Sequence, residues 1–73
     1  MAQLTHEQYD ALERAVVKGT RLAIYRSGRR EVIVVPLEVG ARDGREFIQT
    51  RNPTTGHDMT IFIDEVERLE VIK

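Results

Sequence analysis

The sequence predicts a mainly β fold: a small barrel of about five strands preceded by one N-terminal α-helix. Three observations lead there. Only the first nineteen residues carry helical apolar spacing with stop and start signals at both ends. After them come short runs of alternating character, separated by turns rich in Gly, Asp and Pro. Finally, Glu31–Val39 is apolar on both faces, as a strand covered on both sides would be.

The helix is read first. Thr5 can accept the backbone N–H of Gln8 while the Gln8 side chain reaches back to Thr5, which makes a capping box, with Leu4 and Tyr9 at the staple positions. Glu7 places negative charge in the first turn. Tyr9, Leu12, Ala15 and Val16 then form one apolar stripe. Lys18 suits the last turn, and Gly19 suits the left-handed position that ends a helix. Such a helix would cover one end of the barrel. His6, at its exposed start, reads as a solvated side chain.

The first strand is expected from about Thr20 to Arg26, with Leu22, Ile24 and Arg26 on one face and Arg21, Ala23 and Tyr25 on the other. Ser27-Gly28-Arg29-Arg30 turns the chain into the second strand. Pro36 cannot donate to a ladder, so it should mark a bulge at which this strand bends between the two halves of the barrel. Asp43-Gly44 marks a tight hairpin. Strand three should run from Arg45 to Arg51, with Phe47 and Gln49 facing one way and Ile48 and Thr50 the other. Asn52-Pro53-Thr54-Thr55-Gly56 is a polar loop, which reads as a plain hairpin connection rather than a phosphate cradle. Met59–Ile63 is strand four. Asp64–Arg68 would form one helical turn capped by Asp64, and Leu69–Ile72 the last strand. This series describes an Sm-like or SH3-like barrel, residues 1–73 forming one domain. A last strand at an open edge could pair with another copy or with a partner.

Composition narrows the function. A chain of 73 residues without cysteine has no disulfide framework, thiolate nucleophile or zinc-thiolate site, which fits a reducing compartment. The opening residues form neither a basic nor an apolar leader segment, and no apolar run approaches the ~18 residues of a membrane span. A cytoplasmic protein that does not bind membranes is therefore expected. Enzymatic activity is not: His6, His57 and scattered carboxylates are the only candidates for acid–base work. His57 and Asp58 are adjacent, so in a strand they point to opposite faces and make no dyad. No metal or cofactor site emerges.

The net charge is −1, but it is unevenly spread. Residues 1–13 and 52–73 each carry a net charge of −3, and residues 14–51 carry +5. If Arg21, Arg26, Arg29, Arg30, Arg42, Arg45 and Arg51 gather on one face, with Tyr25 or Phe47 as a stacking platform, they would bind RNA, single-stranded DNA or a nucleotide. The alternative is an adaptor that binds a protein or a second copy of itself through Glu7, Asp10 and Glu13 on the helix or through the last strand.

Several runs resemble the WYL domain of bacterial transcriptional regulators. They are Ala11-Leu12-Glu13-Arg14-Ala15, Gly19, Leu22, Ile24-Tyr25-Arg26-Ser27-Gly28, Val35-Pro36-Leu37, Arg45-Glu46-Phe47-Ile48 and Ile63-Asp64-Glu65-Val66. The resemblance covers residues 11–72. It implies an Sm-like fold that senses a nucleic acid or nucleotide-like ligand through a basic pocket. The Trp-Tyr-Leu run of that family stands here as Glu46-Phe47-Ile48, and three positions that carry Arg in the family are Ile33, Phe62 and Glu65. The implied pocket has thus lost three cations. Tyr9-Asp10, Leu12-Glu13, Tyr25 and the runs at 46–48 and 63–66 are also similar to Rho-binding antiterminators. That likeness implies a protein partner in the transcription machinery, contacted by Glu7, Asp10 and Glu13.

Overall fold

The computed structural model describes residues 4–72. Helix α1 runs from His6 to Lys18. Both halves of the expected capping box form between Thr5 and Gln8, and Gly19 closes the helix at φ 68°, in the left-handed region that glycine enters without steric cost. The buried side of α1 is carried by Leu12 and Ala15, which join Leu4 in the core as α1 packs on strands β2 and β5, defined below.

Five strands follow: β1 (Leu22–Arg26), β2 (Val32–Arg42), β3 (Arg45–Arg51), β4 (Asp58–Phe62) and β5 (Val66–Val71). They form one antiparallel sheet in the order β4-β3-β2-β1-β5. The long strand β2 makes the fold barrel-like, because it belongs to both halves of the sheet. Its start pairs with β1, as in Leu22 opposite Val34, and its remainder pairs with β3 from Val35 to Arg42. The register shifts between Pro36 and Glu38, at the bulge that the proline was expected to mark. At the far end Arg42 faces Arg45, with Asp43 (φ 52°) and Gly44 (φ 78°) as the two turn residues. Two consecutive positive φ angles are what a type I′ hairpin requires.

One cluster fills the concave side: Leu22 and Ile24 of β1, Val34 of β2, Ile48 of β3, Ile61 of β4, and Val66 and Leu69 of β5. Thr50 is the one buried polar residue there among the described residues, and its hydroxyl donates to the Met59 carbonyl at 2.8 Å. In this setting an unpaired hydroxyl would be costly.

Two expectations need correction. The apolar residues of β2 are not covered on both faces: Val34 is fully buried, whereas Ile33 and Leu37 are each more than a third exposed. A sheet that bends around its own core, with a single helix on it, leaves the convex side open. The helical turn also comes earlier and is shorter than predicted. A 3-10 turn spans Ile63–Glu65 without side-chain capping, and β5 already starts at Val66. Val66 is fully buried opposite Arg26, and pairing with β1 outweighs the local helical preference of the acidic run.

Candidate functional site

Residues opposite each other in antiparallel strands share a face, so the convex side can be assembled from the register. Gly40, Phe47 and Phe62 stand in one row across β2, β3 and β4; Glu38, Gln49 and Thr60 form the next. The distal end of the Phe47 ring lies over Gly40, where a Cβ would stand 2.7 Å from the ring Cζ. Phe47 and Phe62 meet edge to face, with centroids 6.4 Å apart and planes at 78°. The Thr60 hydroxyl donates to Gln49 Oε1 at 2.7 Å, so the Gln49 amide hydrogens remain available. Glu38, Arg42, Phe47, Gln49, Thr60 and Phe62 line a shallow groove of about 160 Å³.

Two arginines border these rings in different ways. Arg42 lies 6.0 Å from the Phe47 centroid and has no carboxylate partner among the described residues. Arg45 lies 3.9 Å from the Phe62 centroid, and its Nε and Nη2 both donate to Asp64 at 2.8 Å, with Glu65 at 3.4 Å. The fork geometry of this pair holds the Asp64 carboxyl below its ordinary pKa and raises that of Arg45. Arg45 therefore fastens the 3-10 turn to β3 and contributes little free positive charge.

The seven arginines do not form a single cluster. Arg29 and Arg30 are exposed in the β1–β2 turn, and Ser27 of that turn donates to the Glu65 carbonyl. Through Glu65 the turn adjoins Arg45, so Arg26, Arg29, Arg30, Arg42 and Arg45 border one end of the molecule. Arg26 Nε is buried without a hydrogen-bond partner among the described residues. Arg51 lies opposite Val35 and donates to Asp58 at 2.9 Å, and Arg21 precedes Leu22, which faces Val34, so both lie away from the Arg42–Arg45 hairpin. Asp58 is thus taken by an arginine and does not face His57.

Tyr25 belongs to a separate part of the convex side. Arg68 lies 4.1 Å from its ring centroid and is itself paired with Glu70. The neighbouring Glu31 carboxylate raises the pKa of the phenol, with desolvation adding to the effect. One face of this ring is therefore already covered by a cation.

In the Asn52–Gly56 loop, Asn52 Oδ1 accepts the Thr54 and Thr55 amides, and the Gly56 amide donates to the Asn52 carbonyl. These donors are spent internally, as in a hairpin loop. On α1, Glu7, Asp10 and Glu13 are exposed on the outward side together with Val17, which is 85% exposed. Among the described residues, no group of three or more His, Asp or Glu side chains is placed to hold a metal ion. No helix of the described residues is long and apolar enough to cross a membrane.

The residue reading missed Phe62, Glu38, Gln49 and Thr60. The strand-four alternation already put Thr60 and Phe62 on one face, but the pairing with β3 that brings them to Phe47 is not local information. Two of the three positions that carry Arg in the resembling WYL domains, Phe62 and Glu65, lie around this groove and its supporting turn.

No protein-family model matches the sequence, and the search of curated proteins finds no match. Among solved structures, the chain is similar to Proteasome accessory factor B/C of Arthrobacter aurescens, with a TM-score of 0.76 and 20% identity. The match covers 97% of this chain and 12% of that one. The chain therefore spans a small fraction of that protein's length, and a likeness at this identity shows the fold.

Proposed function

We propose that this chain is a non-enzymatic, WYL-like regulatory module that binds single-stranded nucleic acid or a nucleotide-like ligand on the convex face of β2, β3 and β4. The observation that carries the reading is the groove at Phe47 and Phe62 with Arg42, unpaired among the described residues, at its rim. A ring face offers stacking to any base, and a neighbouring cation offers a phosphate contact. The resemblance to WYL domains and the fold likeness to a segment of a proteasome accessory factor support a regulatory role. Three of the family's arginine positions are apolar or acidic here. The ligand is therefore held more by stacking and less by charge. The test is a titration with short labelled single-stranded RNA and DNA at ~50 mM salt, where phosphate contacts are strongest. Binding that weakens about tenfold or more in Phe47→Ala supports the proposal, since one base stack contributes ~1–3 kcal/mol. No binding under these conditions overturns it.

A second reading is a protein adaptor, favoured by one observation: Val17 stands exposed among Asp10 and Glu13 on the outward face of α1. Partners retained unchanged after Glu7, Asp10 and Glu13 are replaced by Lys would count against it.

A further inference from the structure

We infer that the Phe47 groove selects guanine over the other bases. This rests on the reading of the groove as a base-stacking site and adds the identity of the base. Along β2, Glu38, Gly40 and Arg42 point to the same convex side, and the end of the Phe47 ring lies on the middle one. Alternate residues of a strand are roughly 6.6 Å apart. A ring stacked on Phe47 above Gly40 therefore has Glu38 to one side and Arg42 to the other. At about 160 Å³ the groove is smaller than the ~300 Å³ at which pockets for whole small molecules begin. One base can settle there while its sugar and phosphate remain in solvent. Unstacked bases of a single strand present their Watson–Crick and Hoogsteen edges to such a site.

The two flanking groups have opposite hydrogen-bonding character. An ionised carboxylate only accepts, and a guanidinium only donates. Guanine carries two adjacent donors, N1–H and the N2 amino group, which can meet the two oxygens of Glu38. It also carries two adjacent acceptors, O6 and N7, which suit the arginine fork. Adenine and cytosine would each turn a ring-nitrogen lone pair toward the carboxylate beside their amino group, and uracil has one N–H between two carbonyls. The amide hydrogens of Gln49, freed because Thr60 engages its oxygen, add donors that any base acceptor can use and do not discriminate.

The experiment measures the affinity of the intact chain for labelled pentanucleotides with one base between abasic sites, so that phosphate charge is constant. Guanine is expected to bind at least about tenfold tighter than adenine, cytosine or uracil, the range for one bidentate contact. Hypoxanthine, which lacks the N2 amino group, should lose most of that advantage. Glu38→Gln should bring guanine and adenine to similar affinity. Equal affinity for all five bases, with binding still sensitive to Phe47→Ala, overturns guanine selection and leaves the groove reading intact. Binding that is indifferent to Phe47→Ala, or absent for every probe, overturns both.

Discussion

Gly40 matters for the space it leaves. Its φ is not among the positive values, so alanine would be acceptable to the backbone, yet a Cβ there would stand 2.7 Å from Cζ and 3.1 Å from Cε1 of Phe47. The ring would have to lift off the strand and give up its edge contact with Phe62. Gly40→Ala is expected to lower stability by about 1–3 kcal/mol, as overpacking does. It should also weaken oligonucleotide binding. Urea unfolding and the titration described above measure the two effects on the same sample. An alanine variant that kept both unchanged would show that the ring does not depend on this glycine. The neighbouring arginines differ in what they can offer a ligand. Arg42 is unpaired among the described residues, whereas Arg45 is held in a fork by Asp64.

Two of the long-range side-chain contacts that fasten elements to each other have a pH signature. The Tyr9 hydroxyl donates to Glu46 Oε1 at 2.7 Å, joining α1 to the start of β3. Burial, reinforced by this hydrogen bond and the charge of Glu46, pushes its pKa from 10.0 up to about 12. Because the folded value is raised, the contact contributes fully below pH ~10 and is lost as the pH rises through about 12. Stability measured by urea midpoint should therefore fall across this window, and Tyr9→Phe should remove that slope. The Arg45–Asp64 contact, which fastens the 3-10 turn to β3, has the opposite sign. The arginine lowers the pKa of Asp64, so the stabilisation is present above the ordinary carboxylate range and is lost as the pH falls through the depressed value. Asp64→Asn should flatten the acid limb of the stability profile. A limb unchanged by the substitution would mean that other carboxylates set it.

On the scale of the whole molecule, folding redistributes the charge pattern. Arg51 and Asp58, from the basic middle and the acidic end of the chain, neutralise each other, as do Arg45 and Asp64. Little uncompensated charge is left on the candidate face. If Arg29, Arg30 and Arg42 are the cations that reach phosphates, about three counterions are released from a single strand. The logarithm of affinity should then fall with the logarithm of salt concentration with a slope of about −2. Titrations from ~50 to ~300 mM salt measure it. A slope of about −5 would instead require that the seven arginines of the middle segment all act together, contrary to their division between the two ends of the barrel. The core is small, since the chain has a radius of gyration of 11.1 Å. Large-to-small changes at Ile48 or Leu22 would therefore threaten the whole fold, not only the groove.

The sequence by itself determined what neighbouring residues settle among themselves. The capping box at Thr5 and Gln8, the stop at Gly19, the Asp43-Gly44 hairpin, the bulge at Pro36 and the span of β3 all rest on backbone preferences within a few positions. Tertiary structure decided everything that depends on which strand lies beside which. It drew Val66 into β5 because the ladder with β1 and a buried site were available, and it left Ile33 on an open face. It brought Phe62 beside Phe47 and gave Asp64 to Arg45, pairs fifteen and nineteen residues apart in the chain. Alternation tells which face a side chain occupies, but only the register tells which side chains it meets there. For that reason the barrel could be read from the residues, whereas the groove on its convex side required the fold.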